Sequence, residues 1–267
     1  MDILEELAEA RRRDAAERAG RVPLGEMERL ARSAPPTRGF AAALRKPSAT
    51  PRFIAELKRA SPSEGEIRRD FQPAKLAAEL EAAGAAALSV LCEPHRFHGD
   101  EEFLREARAA TGLPVLYKDF VTTRYQVAAA RAAGADAVLL IAAVIDDAAL
   151  ADLAGYAREL GFAALVETHD ECEIRRAVKS GAEIVGVNCR NLRDFSCDVS
   201  LLERMIGAIP RPCVRVAESG MHSREDIARA ESAGADAFLV GTALMRAGSP
   251  GEKLKEMTTL PKRQGER

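Results

Sequence analysis

Charged and amide side chains stand at the ends of five apolar runs in this chain, where a buried strand should not tolerate them. The runs are Phe53–Lys58, Val115–Phe120, Ala163–Thr168, Ile184–Cys189 and Val214–Ser219. They carry Glu56 and Lys58, Lys118, Glu167, Asn188 and Glu218 at or near their ends. Burying an unpaired charge costs several kcal/mol or forces its pKa to shift, so these groups are expected to share one polar pocket. Carboxylates and ammonium groups in one pocket are the equipment of general acid–base chemistry. Lys118 is read as a lysine of depressed pKa, held in a dry pocket or near other cations, that serves as a general acid. Glu56 and Lys58 lie two apart and so share one face of their strand, as a functional pair or a structural ion pair. Asn188 and Arg190 supply an amide and a fork-shaped cation suited to hydroxyl and carboxylate recognition. Ser219 and Gly220 follow one run, and Gly241 and Thr242 follow the last. Paired small residues at those two places suit a phosphate held by backbone N–H groups.

The elements that must position these groups are regular. Eight strand-like runs can be counted, at 53–58, 87–92, 115–120, 137–142, 163–168, 184–189, 214–219 and 237–242, each followed by room for one amphipathic helix. Such alternation predicts βα units and a parallel sheet. The runs are continuously apolar, as strands covered on both faces are. One phrase recurs at 81–90, 131–140, 179–187 and 231–240: a helix end, a Gly suited to a left-handed turn, and a new buried strand. No GxGxxG follows the first strand, so a closed (β/α)8 TIM barrel is favoured over an open doubly wound sheet. Residues 2–19 and 23–31 read as two helices ahead of the barrel, the first with Ile3, Leu4, Leu7 and Ala8 on one face. Ser33–Arg38 breaks the pattern. The division expected is an N-terminal helical extension at 1–50, the barrel at 51–248, and a helix end with a polar tail at 249–267.

Composition narrows the function. The chain is 47% hydrophobic and 30% charged with a net charge of −2, which gives no electrostatic case for nucleic acid or a membrane surface. The basic triplet Arg11–Arg13 is read as a solvated helix face neutralised by Glu5, Glu6, Glu9 and Glu17. The longest apolar run, 137–145, falls far short of the roughly 20 residues that span a bilayer. The start of the chain has no secretory pattern, and five cysteines without close pairing suggest a reducing, cytoplasmic setting. His95 and His98 lack the companions of a metal site, and His169 and His222 read as lone structural histidines. No apolar stripe is left unexplained, which favours a monomer or weak association with other enzymes.

Taken together, the stretches 54–65, 115–120, 165–169, 186–192, 216–221 and 239–245 resemble the indole-3-glycerol-phosphate synthase family of tryptophan biosynthesis, over residues 2–246. The resemblance implies a (β/α)8 barrel with extra N-terminal helices and no cofactor or metal. It implies ring closure, decarboxylation and dehydration of 1-(2-carboxyphenylamino)-1-deoxyribulose 5-phosphate. It implies Lys118 as the acid that protonates the substrate carbonyl, Lys58 as partner of the substrate carboxylate, and Glu167 as the group that moves a proton or steadies a cation. Glu56 would orient the lysines, and Glu218 would support them or bind a hydroxyl. Asn188 and Arg190 match the substrate-binding pair, and Ser61, Ser219, Gly220, Gly241 and Thr242 the phosphate site. Phe120, Leu139, Ile141 and Leu165 would offer apolar surface to the aromatic ring, although core packing explains them equally well. The loop 93–100 departs from the family's aromatic pair, keeping only Phe97 and Gly99, which puts the aromatic clamp in question. Rival readings are a barrel aldolase using Lys118 as a Schiff-base lysine, and a barrel scaffold without catalysis.

Overall fold

The expected strands form in the order and places read from the sequence. In the computed structural model, which describes residues 3–45, 50–190 and 199–259, the barrel strands are β1 (Arg52–Leu57), β2 (Ala87–Leu91), β3 (Val115–Lys118), β4 (Ala137–Ile141), β5 (Ala163–Thr168), β6 (Ile184–Asn188), β7 (Val214–Glu218) and β8 (Ala237–Val240). Each pairs in parallel with the next, and β8 returns to β1 through Arg52–Ala237 to Ala55–Val240, so no edge is left open.

Strand parity divides the interior. Alternate residues face the barrel axis, and they make one apolar cluster from Ile54, Leu116, Leu139, Leu165, Ile184 and Val216. The intervening residues, such as Leu57, Leu88, Val138, Val166 and Val187, pack outward under the helices in a second cluster. Two residues further along the same inward-facing rows come Glu56, Lys118, Ile141, Glu167 and Glu218. The period of two that fills the barrel with aliphatic groups therefore also delivers the charges to its C-terminal end.

The recurring phrase is a physical hinge between units. Gly134 and Gly234 turn at φ 98° and 99°, a region costly for any residue with a Cβ. Two residues on, Asp136 and Asp236 accept the main-chain N–H of Val115 and Arg215, at 2.8 and 2.9 Å, tying each new strand to the start of its predecessor. At the opposite end, Asp100, Thr123, Asp146, Asp170 and Ser223 cap the helices that begin there, each a contribution of about 1 kcal/mol.

Among the described residues three helices precede β1. Helix α1 (Ile3–Arg21) lies with Leu4, Leu7 and Ala8 buried, and α2 (Leu24–Ser33) buries Met27 and Ala31. The sequence reading missed α3 (Phe40–Arg45), whose Phe40 and Leu44 are buried in the cluster that fills the barrel axis. The reading of Arg11–Arg13 as a solvated face needs correction at Arg11. Its guanidinium forks onto Asp119, a fully buried carboxylate just past β3, with contacts of 2.7 to 3.0 Å. Arg12 does pair with Glu9. Beyond β8, Pro250–Thr258 is a helix that buries Leu254 and Met257, so apolar packing continues past Ser249. Residues 260–267 lie outside the described residues.

Candidate active site

Lys118 closes β3 with its ammonium group between two carboxylates from strands across the mouth. Nζ donates to Glu167 Oε2 at 2.8 Å and to Glu218 Oε2 at 3.2 Å. Both acids are buried, at 3% and 1% exposure. Asn188 Nδ2 donates to the other oxygen of Glu167 at 3.2 Å. Asn188 Oδ1 in turn accepts the main-chain N–H of Arg190 at 3.1 Å, which fixes the orientation of the amide. On the opposite wall Lys58 Nζ lies 2.9 Å from Glu56 Oε1, so this pair is one ion pair inside the barrel mouth.

The electrostatics run against one expectation. Burial alone would depress Lys118, but the charges of Glu167, Glu218 and Glu56 outweigh it and hold the ammonium group above its ordinary value. Lys118 therefore carries its proton firmly; the expected depression needed cations nearby, and its neighbours are carboxylates. The two acids are pushed apart. Burial works to raise Glu167, yet Lys118 and His169 hold it well below the usual carboxylate range. Burial raises Glu218 too. Lys118 offsets this only in part and the Glu167 charge adds to it, so Glu218 is pushed up to about 8. Glu218 lines the cavity, but its Oε1 is buried toward Gly186 and has no hydrogen-bond partner among the described residues.

Two glycines make room for these carboxylates. A Cβ at Gly186 would sit 2.0 Å from Glu218 Oε1, and one at Gly241 would sit 2.3 Å from Glu56 Oε1. Gly241 was expected at the phosphate end of the site; the structure adds a steric reason for it. Gly186 was missed, and the signal was a glycine inside an otherwise apolar strand, which marks close approach.

The cavity over this cluster is lined by nearly all the residues singled out from the sequence. Ser61, Ser219, Gly220, Gly241 and Thr242 lie around it together with Arg190, while Phe97, Phe120, Leu139 and Ile141 give it apolar surface. Ser219 stands in the left-handed region at φ 65°, a strained conformation of the kind held at functional loops, and is followed by Gly220 at 71°, which glycine adopts freely. Leu165 does not reach the cavity. It is fully buried in the barrel axis and belongs to the core.

The atypical loop 93–100 is well braced. Glu93, fully buried, accepts the main-chain N–H groups of His95, Arg96 and Phe97 at 2.7 to 2.9 Å. Phe97 then packs on Phe120 with ring centroids 6.3 Å apart. A Cβ on Gly99 would lie 2.4 Å from the Leu91 carbonyl oxygen. His95 is turned away to Asp14 at 2.8 Å, and among the described residues no group of three or more His, Cys, Asp or Glu is arranged to hold a metal.

Further features escaped the sequence reading. Ile3, Leu4 and Leu7 of α1 form part of the cavity wall, a use that their amphipathic spacing did not disclose. His169, taken for a lone structural histidine, lies 3.4 Å from Glu167. Cys92, Cys172 and Cys213 are free thiols, whereas Cys189 is disulfide-bonded, where no pairing was expected.

Solved structures with this architecture are distant in sequence and speak for the fold alone. Thiamine phosphate pyrophosphorylase from Pyrococcus furiosus aligns at 17% identity and a TM-score of 0.60, over 77% of this chain and 93% of that one. N-acetylmannosamine-6-phosphate 2-epimerase from Clostridium perfringens aligns at 18% and 0.58, over 72% and 86%. Orotidine 5'-phosphate decarboxylase from Pyrococcus horikoshii aligns at 15% and 0.58, over 77% and 96%. No described helix is long and apolar enough to cross a membrane. A family model for indole-3-glycerol phosphate synthase matches residues 4–257, and the chain, with its barrel mouth of lysines and carboxylates, belongs to that family of lyases.

Proposed function

We propose that the chain is a carboxy-lyase that converts 1-(2-carboxyphenylamino)-1-deoxyribulose 5-phosphate to indole-3-glycerol phosphate, CO2 and water. The observation that carries this reading is the placement of Lys118 between Glu167 and Glu218, under a cavity with apolar and small polar walls, in a chain of this family.

In the first step the ring carbon bearing the carboxylate attacks the ribulose ketone. Lys118 Nζ gives its proton to the carbonyl oxygen, and positive charge appears on the ring and its nitrogen. Glu167, held ionised, stabilises that charge at close range. The bond to the carboxylate then breaks, its electron pair returns to the ring, and CO2 leaves. Finally the hydroxyl made in the first step leaves as water with a proton from Lys58, while a carboxylate takes a proton from the adjacent carbon. Before that, Lys58 pairs with the substrate carboxylate. Glu56, Lys58's partner at 2.9 Å, orients it. Asn188 and Arg190 would meet the substrate carboxylate and hydroxyls, and Glu218 would support Lys118 or bind a hydroxyl. Ser61, Ser219, Gly220, Gly241 and Thr242 receive the phosphate, and Phe97, Phe120, Leu139 and Ile141 flank the aromatic ring. The carboxylates hold Lys118 protonated, which leaves no lone pair for an imine and supports an acid over a Schiff-base role.

The test is a fluorescence assay of the purified protein with this substrate in the presence of EDTA. Growth of indole fluorescence is expected. Its absence from folded protein, with and without EDTA, overturns the reading, and trapping of a substrate adduct on Lys118 by borohydride would replace it with the aldolase.

A further inference from the structure

Next to Glu167 stands a histidine that is not among the residues lining the cavity and that the proposed reaction does not use. His169 follows the last residue of β5. Its main-chain N–H donates to Glu173 Oε2 at 2.7 Å, and its ring Nδ1 lies 3.3 Å from the same oxygen. Ring Nε2 lies 3.4 Å from Glu167 Oε1, an ion-pair distance without the alignment of a good hydrogen bond. Glu173 is itself anchored, since it sits in the first turn of the helix Glu171–Lys179, where Asp170 accepts its N–H at 2.7 Å.

An imidazole with a carboxylate at each nitrogen has only one charge state that suits both. The neutral ring must aim a lone pair at one carboxylate, whereas the imidazolium donates to both. The charged and polar groups that bear on this bridge are Glu167 from β5, Glu173 from the following helix, Lys118 from β3 on the far oxygen of Glu167, Asn188 from β6 on the near one, and Glu218 from β7 beyond Lys118. Burial pushes His169 down, but Glu167 and Glu173 outweigh it and lift it to about 10.

We propose that His169 is a positioning residue for Glu167: an imidazolium braced by Glu173 that fixes Oε1 and leaves Oε2, with Lys118, to face the substrate. The role rests on the acid–base reading of Glu167. With His169 in place Glu167 has a cation at each oxygen and stays ionised. Without it, Glu167 and Glu218 divide the single charge of Lys118.

The experiment combines kinetics with ring NMR. His169→Ala is expected to lower kcat by about tenfold, a typical loss for a group that orients a catalytic one, with KM within about twofold. The acid limb of the kcat profile is expected to move to higher pH. His169→Gln, which keeps a donor for Glu167 but no charge, should recover part of kcat while leaving the limb displaced. An unchanged kcat and profile in folded His169→Ala overturns the proposal, and so does a fall in kcat with no movement of the limb. Independently of turnover, 15N spectra of the four histidine rings should show one ring doubly protonated beyond pH 8, lost in His169→Gln and titrating lower in Glu173→Gln. If all four rings deprotonate near their ordinary value, the bridge does not exist. A wild type that makes no indole product but keeps the protonated ring strikes the reaction and leaves the bridge standing.

Discussion

The two ends of the barrel are built from the same βα units and hold opposite things. At the C-terminal end, inward-facing residues are Glu56, Lys118, Glu167 and Glu218, set around a cavity. At the N-terminal end, Phe40 and Leu44 of α3 fill the axis. The charged groups near that end are spent on the backbone: Asp136 holds the N–H groups of Arg38 and Val115, and Arg52 holds the Ala43 carbonyl. At the mouth the charges cluster around a cavity, whereas near the other end Asp136 and Arg52 are spent on the main chain. Stability and chemistry are therefore lodged some distance apart along one set of strands, and substitutions at the two ends should be separable by their readouts.

The largest effect expected is at the mouth. Lys118→Ala should lower turnover by about 10²–10⁴-fold, the range for a lost acid–base group, while circular dichroism shows the fold retained. Near-normal turnover would sink the acid assignment. Phe40→Ala makes the complementary test. It should cost about 3–5 kcal/mol in urea unfolding and leave kcat per folded molecule unchanged; a parallel loss of kcat would show that the two ends are not independent. Gly186→Ala sharpens the comparison, because its methyl displaces the Glu218 carboxylate and presses only lightly on Leu165 Cδ1 at 3.3 Å. Turnover should fall by about 10–100-fold, as for a misplaced catalytic group, with a small change in melting temperature. A fully active Gly186→Ala would show that Glu218 can move freely.

The last test is a pH slope. Glu218 holds its proton to about 8 when folded, against an ordinary value of 4.5. Between those limits the folded state binds a proton that the unfolded state has lost, so this group lowers stability as pH rises through the window. Glu218→Gln removes that slope. Urea midpoints at pH 5 and pH 8 should show the variant gaining on the wild type at the higher pH, and a constant difference would place the Glu218 pKa elsewhere.

What could be read from the sequence was what depends on local pattern. The strands, the glycine hinges and the charged strand ends follow from runs of a few residues, and their convergence follows from eight units closing. What could not be read depends on which groups meet across the fold. The direction of the Lys118 shift required knowing that its neighbours are Glu167 and Glu218 rather than Lys58. Arg11 finds Asp119 across 108 residues of sequence. Leu139 and Leu165 look alike as inward aliphatic residues and even pair in register, yet only Leu139 meets the cavity. Helix α3 has six residues, too few to show a period. The partners of His169, Glu167 and Glu173, are close in sequence, but the pattern does not show that both carboxylates turn toward its ring.

The use of α1 as a cavity wall bears on the order in which the molecule comes together. The segment with Ile3, Leu4 and Leu7 is synthesised before the barrel, yet the surface that receives it includes Asp119, Phe120 and Phe97, made much later. Contacts of such long sequence separation form after the local ones that create their docking surface. A helix synthesised ahead of the barrel is thus among the last elements to settle, and the ligand cavity acquires its full enclosure only when the barrel beneath it has already been assembled.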